Sequence, residues 1–373
     1  MSDLARAPLY CLDRWMEAGP FRPTDLGRFR VLFCCYALLN LPSFSWVAAF
    51  PDTFHSPPPG PFALIGGFPH PTVLSFLEVG VALALVAVLI GWWTRAASIM
   101  ATGFMLVGYG FSFSFGKIDH NILFVVLPVF MAYAGWGAAY SVDAARGGAY
   151  EVRQWGMRLL ALAVAMAFAT AALPKWRQGW LSTDTQAVRN ELMQSQHTSD
   201  PGWLGHLLIG SVDSAAFWIA LDWGAVLFEF GMVAAVLSWA SFRLLLAIAG
   251  LFHLSVMLVF DITFAPNILV YAAFIPWASL SVPKLLASPF RKAAVRLERR
   301  PRPPLVVGAG GAVVWLASPL LRQIAVPVSA SVVVIGGVVG GVYLAWRLQR
   351  LLKTGPGLEH DHLARTAGRS SVE

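Results

Sequence analysis

Lys175 stands at the lip of an apolar run, in Ala172-Leu-Pro-Lys175-Trp176, and it is one of only five Lys and Arg residues that the hydropathy places outside a membrane. Basic residues favour the inner side of membrane proteins, so one kept outside against that bias is a candidate for chemistry. Glu78, Asp222, Glu229 and His253 fall inside apolar runs, and Asp119, His120 and Asn121 open a further run on the outer side. Charge in hydrocarbon is costly, so each of these groups needs a partner, a cavity or a task. At ~1.5 Å per helical residue, Glu78 lies roughly 9 Å below the outer end of its helix, with Asp222 and Glu229 at similar or greater depth. The set is expected to face one cavity open to the outer leaflet. Glu229 and His253, both at mid-depth, are expected to face each other or share a water, because either alone would be an unsatisfied polar group in hydrocarbon.

Each residue also has a structural reading. Lys175 can snorkel to the headgroups, and Asp119 and His120 can serve as N-cap residues. Glu78 can be satisfied by Asn40 or Ser75, and Glu229 and His253 can form a hydrogen-bonded pair without catalysis. Trp176, Trp180 and Trp203 suit an interfacial aromatic belt.

The elements that must position these residues are transmembrane helices. Hydrophobic residues make up 57% of the 373, charged residues 13%, and the mean hydropathy is +0.64, more apolar surface than one soluble core could use. The expected fold is an all-α, polytopic transmembrane bundle of about ten spans with both termini cytoplasmic. The spans read as 26–48, 72–93, 96–115, 120–140, 155–174, 215–239, 242–261, 264–281, 304–322 and 327–347. That arrangement leaves outside only Lys117, Lys175, Arg177, Arg189 and Arg322 of 27 basic residues. The pI near 9.6 then reflects basic residues in short inner loops, serving orientation and contact with anionic lipid, so membrane lipid is the expected partner and nucleic acid is not. No cleavable signal peptide is expected, the first span acting as its own insertion signal. Cys11, Cys34 and Cys35 offer neither a disulfide framework nor a metal spacing.

Two outer stretches, 51–71 and 176–214, are long enough to fold over a cavity. Residues 1–282 read as the main membrane domain, 283–303 as a basic Pro-rich cytoplasmic loop, 304–348 as a terminal helix pair and 349–373 as a disordered cytoplasmic tail. Gly336, Gly337, Gly340 and Gly341 allow close helix approach, for packing within the chain or a dimer contact.

Several stretches resemble one family. Gly91-Trp-Trp-Thr-Arg95, Phe115-Gly-Lys-Ile-Asp-His120-Asn121 and Tyr140-Ser-Val-Asp143 are similar to the membrane domain shared by vitamin K-dependent gamma-carboxylases and their bacterial relatives, the HTTM domain. Pro174-Lys175-Trp176, followed by Gly179-Trp180-Leu181, resembles the Leu-Lys-Lys-Leu segment and following Trp of the carboxylase, and Phe252-His253 through Phe260, Tyr271 and Pro276-Trp277 resembles a later helix. The likeness runs collinearly over about residues 20–285.

In that family reduced vitamin K, oxidised by oxygen, supplies the base strong enough to remove a proton from a peptide Glu before carbon dioxide adds. The resemblance implies Lys175 as the base that deprotonates the quinol and His120 as the donor that stabilises an oxyanion on it. Asp119, Asn121, Glu229, His253 and Glu78 would line the cavity. It implies a reduced quinone, vitamin K hydroquinone-like, as cofactor, and no metal. Pro174 stands where the carboxylase has the first of two lysines, and the helix pair after residue 303 is expected where the carboxylase continues into a large lumenal domain, which sets the expectation against peptide carboxylation. The reading is a quinol-dependent enzyme with an outward-facing cavity, in the plasma membrane if the source is bacterial. Two alternatives stand beside it: a non-catalytic accessory protein that matures or exports a secreted peptide with a partner membrane protein, and a small-molecule transporter. The transporter lacks the paired broken helices and repeated halves that such folds show.

Overall fold

A computed structural model describes residues 7–116, 121–148, 151–198, 201–280 and 302–353. Every regular element among them is helical. In chain order they are α1 (Ala7–Glu17), α2 (Pro23–Leu39), α3 (Pro71–Ile90), α4 (Thr94–Ser112), α5 (Ile122–Ala134), α6 (Val142–Ala145), α7 (Gln154–Arg177), α8 (Ala187–Thr198), α9 (Trp203–Ser211), α10 (Ala215–Ala235), α11 (Trp239–Phe260), α12 (Ala265–Ala272) and α13 (Pro303–Lys353). Six are long and apolar enough to cross a membrane: α3, α4, α7, α10, α11 and α13. Asp119, His120 and the 283–301 part of the basic loop lie outside the described residues, as does the tail beyond Lys353.

Three expected spans are shorter helices. The first ends at Leu39, because Pro42 disfavours helical geometry at Leu41, and the chain continues into a 3-10 turn at Ser45–Ala49. The fourth is the 13-residue α5, stopped by Gly135 at φ +84°, and the eighth is the 8-residue α12. At ~1.5 Å per residue these reach roughly 20 Å and 12 Å, short of the ~30 Å hydrocarbon core. Apolar sequence persists beyond the helix ends because the flanking chain is packed within protein, where non-helical backbone is tolerated at membrane depth.

The two terminal spans appear as one 51-residue helical run, α13. Its contacts show how it lies. The end of α3 meets Ser141 at Gly91, while the start of α7 (Gly156) meets Ala134 at the end of α5 and its Arg158 meets Trp239 at the start of α11. The end of α5 in turn meets the start of α4, where Trp136 donates to Ser98, so α3 and α11 run in opposite directions. Yet α13 is antiparallel to both: Gly311 packs on Leu83 and Trp315 reaches Glu78, while further on Gly337 packs on Leu254 and Gly340 on Ala247. One straight rod cannot satisfy both sets, so the run doubles back between Trp315 and Gly336, the segment that contains Pro319 and Pro327. The glycines of the second arm let it approach α11 and α12 within the same chain.

The end of the bundle at which α3 and α5 finish and α7 and α11 begin is tied by arginines. Arg30 is fully buried and donates to the carbonyls of Trp136, Ala139 and Tyr140 at 2.8, 3.2 and 2.5 Å. Arg158 lies between the rings of Trp15 and Trp239 and donates to the carbonyls of Val236 and Ala18. These carbonyls follow α5, α10 and α1, where helices leave acceptors without internal partners. The expectation that inner basic residues contact lipid fails for this pair.

Candidate functional site

The α7 helix runs three residues beyond its expected end, which puts Lys175 in its last turn. Gly179 adopts φ +83° and Trp180 N–H donates back to the Lys175 carbonyl at 3.1 Å, so the chain curls over and sets the Trp180 ring 5.3 Å from the Lys175 amine. From below, the amine is held by the Glu229 carboxylate of α10 through a hydrogen-bonded ion pair with Oε1. The Lys175 side chain is 23% exposed and that of Glu229 only 3%. Glu229 Oε2 has no hydrogen-bond partner among the described residues.

Two turns below Lys175 on α7, Phe168 touches Phe228 of α10 and lies over both His253 of α11 and Tyr271 of α12. His253 Nε2 and the Tyr271 hydroxyl are hydrogen-bonded at 2.9 Å, both buried. Phe264 stacks on His253 at 4.7 Å, and Phe252 packs on Phe228. Four helices thus bring together a packed aromatic cluster, with the Lys175–Glu229 ion pair two turns along α7 from the phenol–imidazole pair of Tyr271 and His253.

In place of a direct Glu229–His253 hydrogen bond, Glu229 Oε1 meets Lys175 and His253 Nε2 meets Tyr271. Nor do the polar groups share one cavity. Glu78 Oε1 accepts from Phe44 N at 2.6 Å, Ser45 N at 2.8 Å and Ser43 Oγ at 3.3 Å, fixing the turn after α2, with Trp315 reaching its other oxygen. Asp222 accepts from Ala187 N and Val188 N at 2.7 and 2.8 Å, capping α8. That cap seats α8 on a small apolar cluster of Leu192, Trp218 and Val259, against which Leu204 and Leu208 of α9 also pack. Asn121 occupies the N-cap position of α5.

The family model of the HTTM domain matches residues 19–277, more than two thirds of the chain. The chain belongs to the HTTM-domain family. No curated protein and no solved structure matches it. With its long apolar helices, this HTTM protein is an integral membrane protein.

Two of the stretches that resemble the family meet where α3 passes into α4. Asp143 accepts from Trp93 N, Thr94 N and Thr94 Oγ1 at 3.0, 2.7 and 2.7 Å, and its own N–H donates to the Gly91 carbonyl. Gly91 sits at φ +70° against Ser141, where a Cβ would overlap that side chain. These residues hold α3 to α4 and take no part in the site of Lys175. Conversely, Phe168 and Tyr271 belong to the site. The legible signal was the hydroxyl of Tyr271 within an apolar run; Phe168, one apolar residue among many in α7, carried none.

Proposed function

We propose that this HTTM protein is a quinol-dependent enzyme working at Lys175 and Glu229, on the outer side of its membrane, the plasma membrane if the source is bacterial. The carrying observation is the inward turn of Lys175. A lysine that only orients a helix keeps its amine among water and headgroups, whereas this one gives up much of its hydration to a buried carboxylate, an arrangement that stability alone seldom favours.

The residues fit a reduced quinone. The rings of Phe168, Phe228, Phe252 and Phe264, packed together beside the ion pair, are surface on which a flat aromatic ring can stack, and the unpartnered Glu229 Oε2 asks for an O–H donor rather than an acceptor. When bound, a reduced quinone supplies the electrons for chemistry with oxygen that no side chain can perform. The chain handles protons. In apolar surroundings the ion pair can relax to a neutral amine beside a carboxylic acid, the proton passing from Lys175 Nζ to Glu229 Oε1, and the neutral amine can then accept a proton from an acidic hydroxyl. Tyr271 and His253 offer a hydrogen bond in a water-poor environment, where it is strong.

The test is oxygen consumption by the purified protein in lipid nanodiscs supplied with a reduced naphthoquinone. Turnover above empty nanodiscs, lost in Lys175→Met and Glu229→Gln and kept in Arg350→Gln, supports the reading. Wild-type protein that consumes no oxygen, and instead co-purifies with a secreted peptide, overturns it in favour of the accessory role.

A further inference from the structure

A second cavity, of about 520 Å³, opens at the outer end of the bundle between α2, α11 and the bend of α13. It is independent of the Lys175 site. Its lining includes one base and one acid, Arg322 and Asp261, together with Asn40, Thr263 and Ser329 and the apolar Leu41, Ala325 and Val326. Both charged side chains are exposed, and they do not close on each other: the ion pairs among the described residues are Lys175–Glu229 and Arg189–Asp213, and neither Arg322 nor Asp261 is in one.

The backbone places the two residues on different elements. Asp261 is the C-cap of α11 at φ +54°, a left-handed position, with its N–H bonded to Met257 O at 3.0 Å. Arg322 lies in the stretch of α13 that contains the two prolines. The floor is fixed by a hydrogen-bonded set in which Tyr36 OH meets Ser329 Oγ at 3.1 Å, Ser329 Oγ donates to Asn40 Oδ1 at 3.3 Å, and Asn40 Nδ2 donates to Tyr36 O at 3.1 Å. Arg322 is also one of the five basic residues that the charge distribution leaves outside, against the prevailing bias.

We infer that this cavity is a second binding site, for a zwitterion that carries an ammonium and a phosphate on one short carrier, the chemistry of phosphoethanolamine. A guanidinium matches phosphate oxygens in a bidentate fork, and a carboxylate accepts from a primary ammonium. A ligand with both groups completes each charge without requiring the two side chains to meet. The cavity lies at the ends of membrane-crossing helices, where Leu41, Ala325 and Val326 border it with apolar surface on which the carbon skeleton of a lipid can rest.

The test uses the full chain and native mass spectrometry after reconstitution with matched phosphatidylethanolamine, phosphatidylglycerol and phosphatidylcholine. Phosphatidylethanolamine is expected to be retained about tenfold over the other two, one lacking the ammonium and the other its N–H donors. Asp261→Asn keeps a residue tolerant of positive φ and should abolish the preference for ethanolamine over glycerol, whereas Arg322→Gln should lower retention of both. Free phosphoethanolamine that competes with the lipid identifies a soluble source for the same chemistry; lipid retention without competition identifies the headgroup. Equal retention of all three lipids with no binding of free phosphoethanolamine, or variants that behave as wild type, overturns the site.

Discussion

Lys175 and Glu229 act as a unit, and their removal should be felt as one. Lys175→Met leaves the Glu229 carboxylate buried without its cation and should lower stability by about 2 kcal/mol, less than the ~3–5 kcal/mol typical of a fully buried pair because Lys175 retains contact with solvent. Adding Glu229→Leu should recover more than half of that loss, as a thermal unfolding series in detergent followed by tryptophan fluorescence would report. Additive losses in the double variant would mean that the pair does not hold the two helices. Tyr271→Phe keeps the ring stacked on Phe168 and removes only the hydroxyl on His253, so a loss of about 1 kcal/mol is expected in the same assay.

At the level of elements, α8 depends on a residue outside itself. Asp222 reaches from α10 to the first two amides of α8, and Asp222→Ala should make those amides exchange roughly tenfold faster while α3 and α4 stay protected, measured by hydrogen exchange. Unchanged exchange would show that the apolar seat of Leu192 and Trp218 is sufficient. The doubled path of α13 has a distance test. Leu305 and Val342, both exposed, would lie about 56 Å apart in one straight helix. Spin labels at the two positions should report less than about 40 Å; a distance near the straight-helix value refutes the bend.

For the whole molecule, the charge distribution predicts the side on which each end lies. In a variant with Cys11, Cys34 and Cys35 replaced, Gln194→Cys on α8 should react with an impermeant maleimide in intact cells, and Leu352→Cys near the end of α13 only after lysis. Both side chains are exposed, so protection reports topology rather than burial. The reverse pattern would invert the bundle and put the Lys175 site inside.

The sequence by itself determined that the chain is helical and membrane-embedded and which family it belongs to, and it drew attention to Lys175 through the expected charge distribution. These follow from sums over segments and from local motifs: apolar length, the sign of charge beside each run, and short collinear stretches. Partnership is a different quantity. Whether Glu229 meets His253 or Lys175 depends on how far each helix is rotated about its axis and which neighbour packs against that face, and depth counted along a helix carries no such information. For the same reason Glu78 and Asp222, at depths like that of Glu229, turn to separate tasks at a turn and a helix cap. Hydropathy also cannot distinguish chain surrounded by lipid from chain surrounded by protein, since both are apolar, so α5 and α12 read as full spans although their C-terminal parts are not α-helical. Only the tertiary structure joined Phe168 of α7, Glu229 of α10, His253 of α11 and Tyr271 of α12, because their contacts span up to 103 residues of chain and are chosen by packing, not by any local pattern.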